Sequence, residues 1–359
     1  MKQDILIIGG GVAGLSAAAR LAPHATITLL EAESATGYHT SGRSAALFEE
    51  HYGQVSTIAL NRASRSFLET QDGGFLSPRG FMLVGMEGQD KAFEEDMAIM
   101  QLNEITADQA CSIIPVLNTD IITRYGHATG AQDIDTDRLM QSYTKIMRGH
   151  GGQIITNARV ESMSHAKGRW QVIAGGNSYS ADVVINAAGA WASQIARMAG
   201  AQDICIQPYR RSVARIPAPL DLDVSGWPIL FGPGETWYAK PDAGALIISP
   251  ADEDPVEPHD AWAEDITLAE GIASYQEVVT EDVTRVTSNW AGLRSFAPDR
   301  NLVLGFDSQA PGFFWCAGQG GYGMQSSPAT GQLVADLIMG HTPEIDAEII
   351  RRISPARFD

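Results

Sequence analysis

Two short apolar runs near the N-terminus flank a helix-like segment. Asp4–Ile8 and Thr26–Leu30 are rich in aliphatic residues, as strands buried on both faces are. Residues 15–21, between them, are rich in alanine and leucine and favour a helix. The pattern predicts a βαβ unit whose first connection is rich in glycine.

Later segments extend this pattern. Residues 183–186 are apolar and end in a run of small residues, and residues 312–318 form a strand that leads into a helix ending at Met339. Asp135 is a plausible N-cap for a helix through about residue 148, followed by a strand at 153–156. Residues 170–174 and 178–186 flank Gly175-Gly176-Asn177, which is a hairpin signal.

Two other blocks have a different character. Residues 76–132 and 207–298 hold strand-like runs, such as 81–84, 212–216 and Ala245–Ser249, separated by turns rich in proline and glycine. Residues 240–244 are predicted to form a hairpin turn with Pro241 preset for it. We expect a mixed, mostly antiparallel sheet that forms a second domain.

The fold class is therefore α/β plus α+β, with a Rossmann-like cofactor domain and a substrate domain. The cofactor domain is expected to be discontinuous, comprising residues 1–75, 133–206 and 299–359. The substrate domain comprises residues 76–132 and 207–298. The ligand crevice should lie between the two domains.

Composition excludes several classes of protein. The net charge of −18 argues against nucleic acid as a partner, and 44% hydrophobic residues argue against wholesale disorder. Three cysteines without a CxxC pair favour reduced thiols and no metal site. The N-terminal apolar run breaks at Gly9, too early for a signal sequence, and no stretch is long enough to span a membrane. We expect a cytoplasmic protein, and peripheral contact with a membrane stays open.

The glycine-rich connection carries the first chemical signal. Gly9, Gly11 and Gly14 form GxGxxG between a strand and a helix, and Glu31 follows the second strand. The glycines allow a tight turn, close approach to a pyrophosphate and close helix packing, and the helix N-terminus attracts the phosphates. Glu31 is placed to accept hydrogen bonds from an unphosphorylated ribose. The unit therefore predicts FAD or NAD rather than NADP.

Three later sites favour FAD over NAD. Gly189 follows a buried strand, Gly318 to Gly323 form a second strand-to-helix junction, and residues 37–45 form a loop of small residues with Arg43. A helix N-terminus at the second junction could stabilise an anionic reduced flavin. Arg43 could meet a phosphate or the flavin ring. A domain that bound only NAD would not need these sites.

The chain resembles the FAD-dependent D-amino-acid oxidase and dehydrogenase superfamily, which includes glycine and sarcosine oxidases. Within it, the sequence is most similar to bacterial D-arginine dehydrogenases. The resemblance spans nearly the whole chain and rests on these strings: GYHTSGRSAA at 37–46, DIDTD at 133–137, NAAGAW at 186–191, YAKPDAG at 238–244, WAGLRSF at 290–296 and QGGYG at 319–323. Ser295 departs from the proline that is frequent after Arg294 in the superfamily.

The residue patterns and the resemblance together predict the sites. The expected noncovalent FAD contacts are Gly9, Gly11, Val12, Ala13, Gly14, Glu31, Ala32, Ser41, Gly42, Arg43, Ser44, Ala45, Val160, Ala188, Gly189, Trp191, Gly318, Gly320, Gly321, Tyr322, Gly323 and Met324. The expected substrate residues are Arg211 and Arg294, which would bind a carboxylate, together with Tyr52, Tyr238, Phe81 and Gly321. Arg210 is the rival to Arg211, because a one-residue shift of the strand would exchange their faces. Cys316 lies outside the position used for covalent flavin.

Two departures bear on the substrate. Phe81 and Leu47 replace a glutamate and a histidine of D-arginine dehydrogenases, and a cationic tail facing them would lack a partner. We therefore expect neutral, apolar D-amino acids to be better substrates than D-arginine. His51, with Glu49 or Glu50, lies close enough in sequence to substitute.

The implied reaction is hydride transfer from the substrate Cα to flavin N5. It yields an imino acid that hydrolyses to a 2-oxo acid and ammonia. The alternatives are oxidation of an N-methyl amino acid or a 2-hydroxy acid, a non-catalytic FAD-binding protein, and an NAD dehydrogenase. The electron acceptor is open between a quinone, an electron carrier and oxygen, and the resemblance favours a dehydrogenase.

Overall fold

The computed structural model describes residues 3–359. The nine helices of this range are α1 (Val12–Leu21), α2 (Val55–Thr70), α3 (Asp90–Ile99), α4 (Ala107–Ile113), α5 (Thr136–Gly149), α6 (Ala192–Ala199), α7 (Asp265–Glu277), α8 (Gly323–Met339) and α9 (Ala347–Ile353). The strands of the same range are β1 (Asp4–Ile8), β2 (Thr26–Leu30), β3 (Leu47–Phe48), β4 (Leu76–Pro78), β5 (Phe81–Met86), β6 (Asn103–Glu104), β7 (Ile122–Ala128), β8 (Gln132–Ile134), β9 (Gln153–Ile155), β10 (Val160–Ala166), β11 (Arg169–Ala174), β12 (Asn177–Ala181), β13 (Val183–Asn186), β14 (Gln207–Pro217), β15 (Ile229–Phe231), β16 (Tyr238–Asp242), β17 (Ala245–Ser249), β18 (Asp254–Pro255), β19 (Ser288–Phe296), β20 (Val303–Phe306) and β21 (Phe313–Ala317).

The predicted βαβ unit lies at the centre of a six-stranded sheet. The strand order is β20-β21-β13-β1-β2-β9, and β1 runs parallel to both β2 and β13. Helices α1, α5 and α8 pack together with one face of this sheet, and the antiparallel sheet β10-β11-β12 and α6 contribute to a second core cluster. The carboxyl ends of β1, β13 and β21 consequently meet at one edge, where parallel α/β sheets bind ligands.

The second large sheet has nine strands, ordered β18-β14-β17-β16-β15-β5-β7-β6, with β19 also pairing with β14. Its pairs are antiparallel except for the parallel pair of β5 and β15. The expected mixed, mostly antiparallel sheet is therefore confirmed. The boundaries drawn between two domains stay a prediction.

Two local predictions were wrong. Residues 178–186 are not one strand, because the chain turns at Asp182 from β12 in the small antiparallel sheet to β13 in the parallel sheet. The hairpin turn near residue 240 is not built on Pro241, which pairs with Leu246 inside the ladder. Its central residues are Ala243 and Gly244, with φ of 47° and 77°. Two positive φ values give the turn the twist that a two-residue hairpin needs.

A short sheet, β3-β8-β4, lies between these units. The buried Lys240 Nζ of β16 lies 2.8 Å from Asp133 Oδ1 of β8 and donates to the carbonyl of Ala45 at 3.1 Å. Arg79 Nε donates to the other oxygen of Asp133 at 2.8 Å. This network ties the large sheet to the loop that precedes β3. No helix among residues 3–359 has the length and apolar character required to span a bilayer.

Candidate active site

Close backbone packing fixes the turn after β1. Gly9 has φ of 110°, and a Cβ there would lie 2.3 Å from the carbonyl oxygen of Ala187. A Cβ on Gly14 would lie 2.0 Å from the carbonyl oxygen of Gly9. At Gly11 a Cβ would meet only the hydroxyl of Ser41, at 3.1 Å. Gly9 and Gly14 are therefore required by the fold, whereas Gly11 leaves space for a ligand.

Glu31 is buried at the end of β2. Its Oε2 accepts from the backbone N of Gly10 at 2.7 Å, and its Oε1 accepts from that of Glu33 at 2.8 Å. These bonds fix the carboxylate and leave lone pairs for a ribose hydroxyl. Glu31 lines a cavity with other predicted cofactor residues, namely Gly9, Gly11, Ala32, Ser41, Val160, Ala188, Gly189 and Trp191.

A second cavity adjoins the first at the N-terminus of α1. Gly11, Ser41 and Gly189 line both cavities, and the hydroxyl of Ser41 accepts from Val12 N at 3.0 Å. A dinucleotide that crosses this helix end would place its pyrophosphate where amides and the helix dipole favour negative charge. The paired cavities and the gap at Gly11 fit FAD, with the adenosine half beside Glu31 and the flavin half in the second cavity.

The N-terminus of α8 opens into the flavin-side cavity. Gly323 and Met324 line the cavity, no side chain caps the helix, and its first turn holds no acid. The free amides and helix dipole can stabilise negative charge on a bound ring. The predicted residues Val12, Ala13, Arg43, Ser44, Ala45, Gly320 and Gly321 also line this cavity.

Four predicted cofactor residues line neither cavity: Gly14, Gly42, Gly318 and Tyr322. Gly42 closes the loop, since its N donates to Gly37 O at 2.7 Å, and Gly318 supplies a φ of 74° before the turn into α8. Tyr322 packs its ring against Tyr52 at 5.2 Å. These residues shape the site, and the geometry gives them no direct contact with either cavity.

Arg43 differs from its predicted role as a phosphate or flavin partner. Its Nη1 donates to the carbonyls of Ala261 at 2.9 Å and Ala291 at 3.0 Å, and its Nη2 donates to Asp260 at 2.5 Å. Sequence reasoning could not show these acceptors, because they lie about 220 to 250 residues away. The side chain tethers the loop of residues 37–45 rather than offering a free cation.

The register of β14 separates Arg211 from its rival Arg210. Arg210 is buried and forms ion pairs with Asp252, Asp254 and Glu264. Arg211, on the opposite face of the strand, lines the flavin-side cavity, and its buried Nε has no hydrogen-bond partner. The structure thus brings Arg211, not Arg210, into the cavity.

Arg294 lies diagonally across the ladder from Arg211, since Arg211 pairs with Gly292 of β19. Within residues 3–359, neither guanidinium has a protein hydrogen bond or ion pair, and both line the cavity. Burial and the charge of Arg294 lower the pKa of Arg211. An anion between the two cations would relieve both effects, because it would supply the hydrogen bonds and the opposite charge that each side chain lacks.

Gly321 provides the space that Arg294 occupies. A Cβ at Gly321 would lie 2.9 Å from Arg294 Cζ and 3.0 Å from its Nη1. Burial lowers the pKa of Arg294, but Tyr52, Tyr238, Glu235 and Tyr322 together outweigh this effect, so that the net pKa lies above its usual value. Arg294 is therefore held as a cation against the backbone that precedes α8.

Tyr52 and Tyr238 both line the cavity. The hydroxyl of Tyr52 donates to Glu235 Oε2 at 2.6 Å, and burial followed by the charge of Glu235 raises the pKa of this tyrosine well above its usual value. Sequence reasoning missed Glu235, which lies in a one-turn 3-10 helix at Pro233–Glu235 and belongs to no motif. It extends the polar side of the site to the cavity mouth.

The far wall of the cavity is apolar. Phe81 and Leu47 both line it, with Phe81 in edge contact with Phe231 at 5.7 Å, and Met100 completes the surface. Glu49 also lines the cavity and bonds to His51, whereas Glu50 turns away to Arg62 and Arg65. Of the substitute residues considered from sequence, Glu49 is the one at the site.

Cys316 is fully buried in β21 and lines neither cavity. Burial raises the pKa of this thiol to about 12, so it is neutral at physiological pH. A neutral, enclosed thiol has no route to a flavin carbon. This placement agrees with the expectation of noncovalent FAD.

The first cavity can hold the adenosine half of a dinucleotide, and the adjoining cavity holds two arginines without protein partners. Together they define a flavin-dependent oxidoreductase site. The family of FAD-dependent oxidoreductases abbreviated DAO matches residues 4–337, and the chain belongs to this family. It binds FAD as its cofactor.

Individual relatives are distant. The chain is 30% identical to L-2-hydroxyglutarate dehydrogenase of Escherichia coli strain K12 over 59% of this chain and 54% of that protein. The fold matches glycine oxidase from Geobacillus kaustophilus with a TM-score of 0.84, 19% identity and 98% of both chains covered. It matches L-proline dehydrogenase from P. horikoshii with a TM-score of 0.83, 21% identity, and 99% and 98% coverage.

Proposed function

We propose that this protein is an FAD-dependent D-amino-acid dehydrogenase that converts neutral, apolar D-amino acids to 2-oxo acids and ammonia. The observation that carries the proposal is the pair of unpaired guanidinium groups, Arg211 and Arg294, on one wall of the flavin-side cavity. Two cations that lack protein partners favour an anionic substrate group. The D configuration rests on the motif resemblance to D-arginine dehydrogenases.

The side chains of the pocket would orient the substrate. Arg211 and Arg294 bind the carboxylate, and Tyr238, whose hydroxyl has no protein partner within the described chain, adds a hydrogen bond. The apolar wall excludes water and receives the substrate side chain. FAD, when bound, supplies the hydride acceptor at N5. The chain's contribution is therefore binding and orientation, which can account for several orders of magnitude in rate.

The substrate side chain is proposed to face Phe81 and Leu47. Burying a cationic tail there without a partner would cost several kcal/mol, on the order of 2–5. Both acids of the cavity have a protein partner, since Glu49 Oε1 contacts His51 and Glu235 accepts from the Tyr52 hydroxyl. The test is kcat/KM across a substrate panel. D-leucine, D-methionine and D-phenylalanine should exceed D-arginine and D-lysine, and the reverse order would show that Phe81 does not face the side chain.

A 2-hydroxy acid is the second candidate substrate. It is favoured by the 30% identity to L-2-hydroxyglutarate dehydrogenase, although that similarity covers only 59% of the chain. A hydroxy acid would use the same two arginines, because they contact only the carboxylate. Anaerobic mixing with D-leucine and with D-2-hydroxy-4-methylpentanoate, which differ only at the Cα substituent, separates the two classes. We expect flavin bleaching by the amino acid alone.

The dehydrogenase assignment concerns the electron acceptor. It follows the resemblance, and it is tested by comparing turnover with oxygen and with a quinone analogue. A dehydrogenase gives rapid reduction of the quinone and slow formation of peroxide. Comparable rates with both acceptors would instead define an oxidase.

A further inference from the structure

The ammonium group of an amino acid must lose a proton before its Cα–N bond can be oxidised. Beside Arg211 and Arg294 that proton is already disfavoured, because both guanidinium groups repel a cation. Tyr52 is a poor acceptor, since burial raises its pKa and keeps the phenol protonated. The site therefore needs a proton acceptor that lines the cavity and has a path to solvent.

Glu49 meets the first requirement. It lines the cavity, and its side chain is 12% exposed. Its backbone N donates to Gln325 Oε1 of α8 at 3.0 Å, which holds the residue beside the helix end that faces the flavin. In the described part of the chain, the protein hydrogen bonds of its carboxylate go to Oε1 alone, so Oε2 is free to face a ligand.

His51 meets the second requirement. Its Nδ1 lies 3.1 Å from Glu49 Oε1, and its side chain is 36% exposed. A neutral imidazole with its proton on Nε2 presents Nδ1 as an acceptor to a protonated Glu49. The pair thus connects the cavity to solvent through a single hydrogen bond.

We infer that Glu49 and His51 form the proton exit of this site. The inference rests on the proposed function, because it concerns the amine of an amino acid. The N–H bond of the substrate ammonium breaks and its proton passes to the Glu49 carboxylate, leaving the electron pair on nitrogen. The proton then moves to His51 and from there to solvent, so Glu49 is again anionic for the next turnover.

The surrounding charges agree with this assignment. Glu50 is the adjacent acid on the same loop, and it is occupied by Arg62 and Arg65 of α2. Glu235 is held by the Tyr52 hydroxyl and is exposed at the cavity mouth. Charged and titratable groups surround Glu49 and His51. Those close in sequence or on α2 are Glu50, Tyr52, Arg62 and Arg65. Those across the cavity are Arg211, Glu235 and Arg294, and Tyr322 packs against Tyr52.

An alternative role for Glu49 is recognition of a cationic substrate tail. The contact with His51 argues against this role, because it leads from the carboxylate to a partly exposed imidazole, which recognition of a substrate tail does not require. A proton path uses that contact directly. The two roles are separated by assaying Glu49→Gln with a panel of substrates. If the variant loses turnover of D-lysine and D-arginine but keeps the wild-type pH profile for D-leucine, Glu49 recognises the cationic tail and the proton exit is overturned.

The first test compares pH profiles of kcat/KM for D-leucine in wild type, Glu49→Gln and the control Glu50→Gln. We expect Glu49→Gln to lower kcat/KM about 100-fold at pH 7, the lower range for general-base catalysis. The loss should shrink about tenfold per pH unit and vanish above the pKa of the free amine, where substrate is already neutral. Glu50→Gln should match wild type. A Glu49→Gln profile parallel to wild type would overturn the inference.

His51→Ala tests the second step. Its turnover should fall and should be restored by added imidazole, which a loss of structure would not allow. Wild-type turnover in this variant, with no response to imidazole, would remove His51 from the path.

The last test needs no turnover. Proton release on binding of 2-methylalanine, which has no Cα–H and cannot be oxidised, is followed at pH 7 by stopped flow with a pH-indicator dye. Wild type should release the proton rapidly, and Glu49→Gln should release it about 100-fold more slowly, because it must wait for the small fraction of free amine that is already neutral. Equal rates of release by both proteins would overturn the inference. If no amino acid reduces the flavin of wild type, the proposed function itself fails, whereas flavin reduction together with equal release rates in both proteins rejects the proton exit alone.

Discussion

At the scale of single residues, neighbouring positions on one strand have opposite tasks. Arg210 and Arg211 differ by one place in sequence, yet Arg210 is held by three acids and Arg211 faces the cavity without any. Composition cannot separate them, because the strand register decides which arginine is neutralised. The same register places Arg294 beside Arg211.

Replacing Arg294 should remove substrate binding and leave the fold intact. We expect Arg294→Ala to lower kcat/KM for D-leucine by two to three orders of magnitude, about 3–4 kcal/mol, because the substrate carboxylate loses a charged partner. Arg210→Ala should instead reduce thermal stability, since it leaves Asp252 buried without its cation. Steady-state kinetics and thermal unfolding of both variants separate the two roles. Unchanged kinetics in Arg294→Ala would remove this residue from the site.

Gly320 and Gly321 are a second pair of neighbouring residues with different expected roles, one in stability and one in substrate binding. Gly321→Ala should raise KM with little change in melting temperature, because its Cβ would displace only the end of the long Arg294 side chain. Gly320→Ala should lower the melting temperature, since Gly320 has φ of 53° and its Cβ would lie 2.1 Å from the ring of Phe296. Differential scanning calorimetry and KM values for D-leucine test both. Equal loss of stability in the two variants would contradict the account.

At the scale of elements, the hydrophobic pattern and the glycine spacing predicted those strands and helix ends that depend on the local sequence. The bounds of β1, β2 and β17 follow from apolar runs, and the start of α5 follows from Asp135, whose carboxylate accepts from Arg138 N. Contacts between distant segments were not predictable. The tether from Arg43 to residues 260–291 and the position of Glu235 arise from tertiary packing.

The turn between β16 and β17 is an element-scale test. Ala243 adopts φ of 47°, which costs a residue with a Cβ roughly 1 kcal/mol and which asparagine tolerates better. Ala243→Asn should therefore raise the free energy of unfolding by about 0.5–1 kcal/mol in urea titration. Ala245→Asn, in the adjacent strand, should give no gain because asparagine is disfavoured in extended backbone. A loss of stability in Ala243→Asn would show that the turn differs from the one described.

At the scale of the whole molecule, a buried ion pair joins the large sheet to the cofactor loop. Lys240 contacts Asp133 and the carbonyl of Ala45, and Ala45 lines the flavin-side cavity. Lys240→Met should destabilise the protein by about 1.5–3 kcal/mol, because Asp133 loses one of its two cations and keeps only Arg79. FAD retention during gel filtration should fall with it.

A double-mutant cycle separates the pair from simple loss of packing. Adding Asp133→Asn to Lys240→Met should cost less than the sum of the single changes, since Asp133→Asn removes the charge that has lost Lys240 as a partner. Strict additivity of the unfolding free energies would indicate that the two side chains do not interact.

In the proposed function, Arg211 and Arg294 hold an amino-acid carboxylate so that the Cα of the substrate faces the flavin. The most direct measurement is the visible spectrum of the purified holoenzyme before and after anaerobic addition of D-leucine, in wild type and in Arg294→Ala. We expect rapid bleaching of the yellow wild type, no comparable reduction by L-leucine, sarcosine or a 2-hydroxy acid, and a large loss of rate in the variant. An oxidised spectrum that persists with D-leucine, or equal bleaching of both proteins, would contradict the proposal.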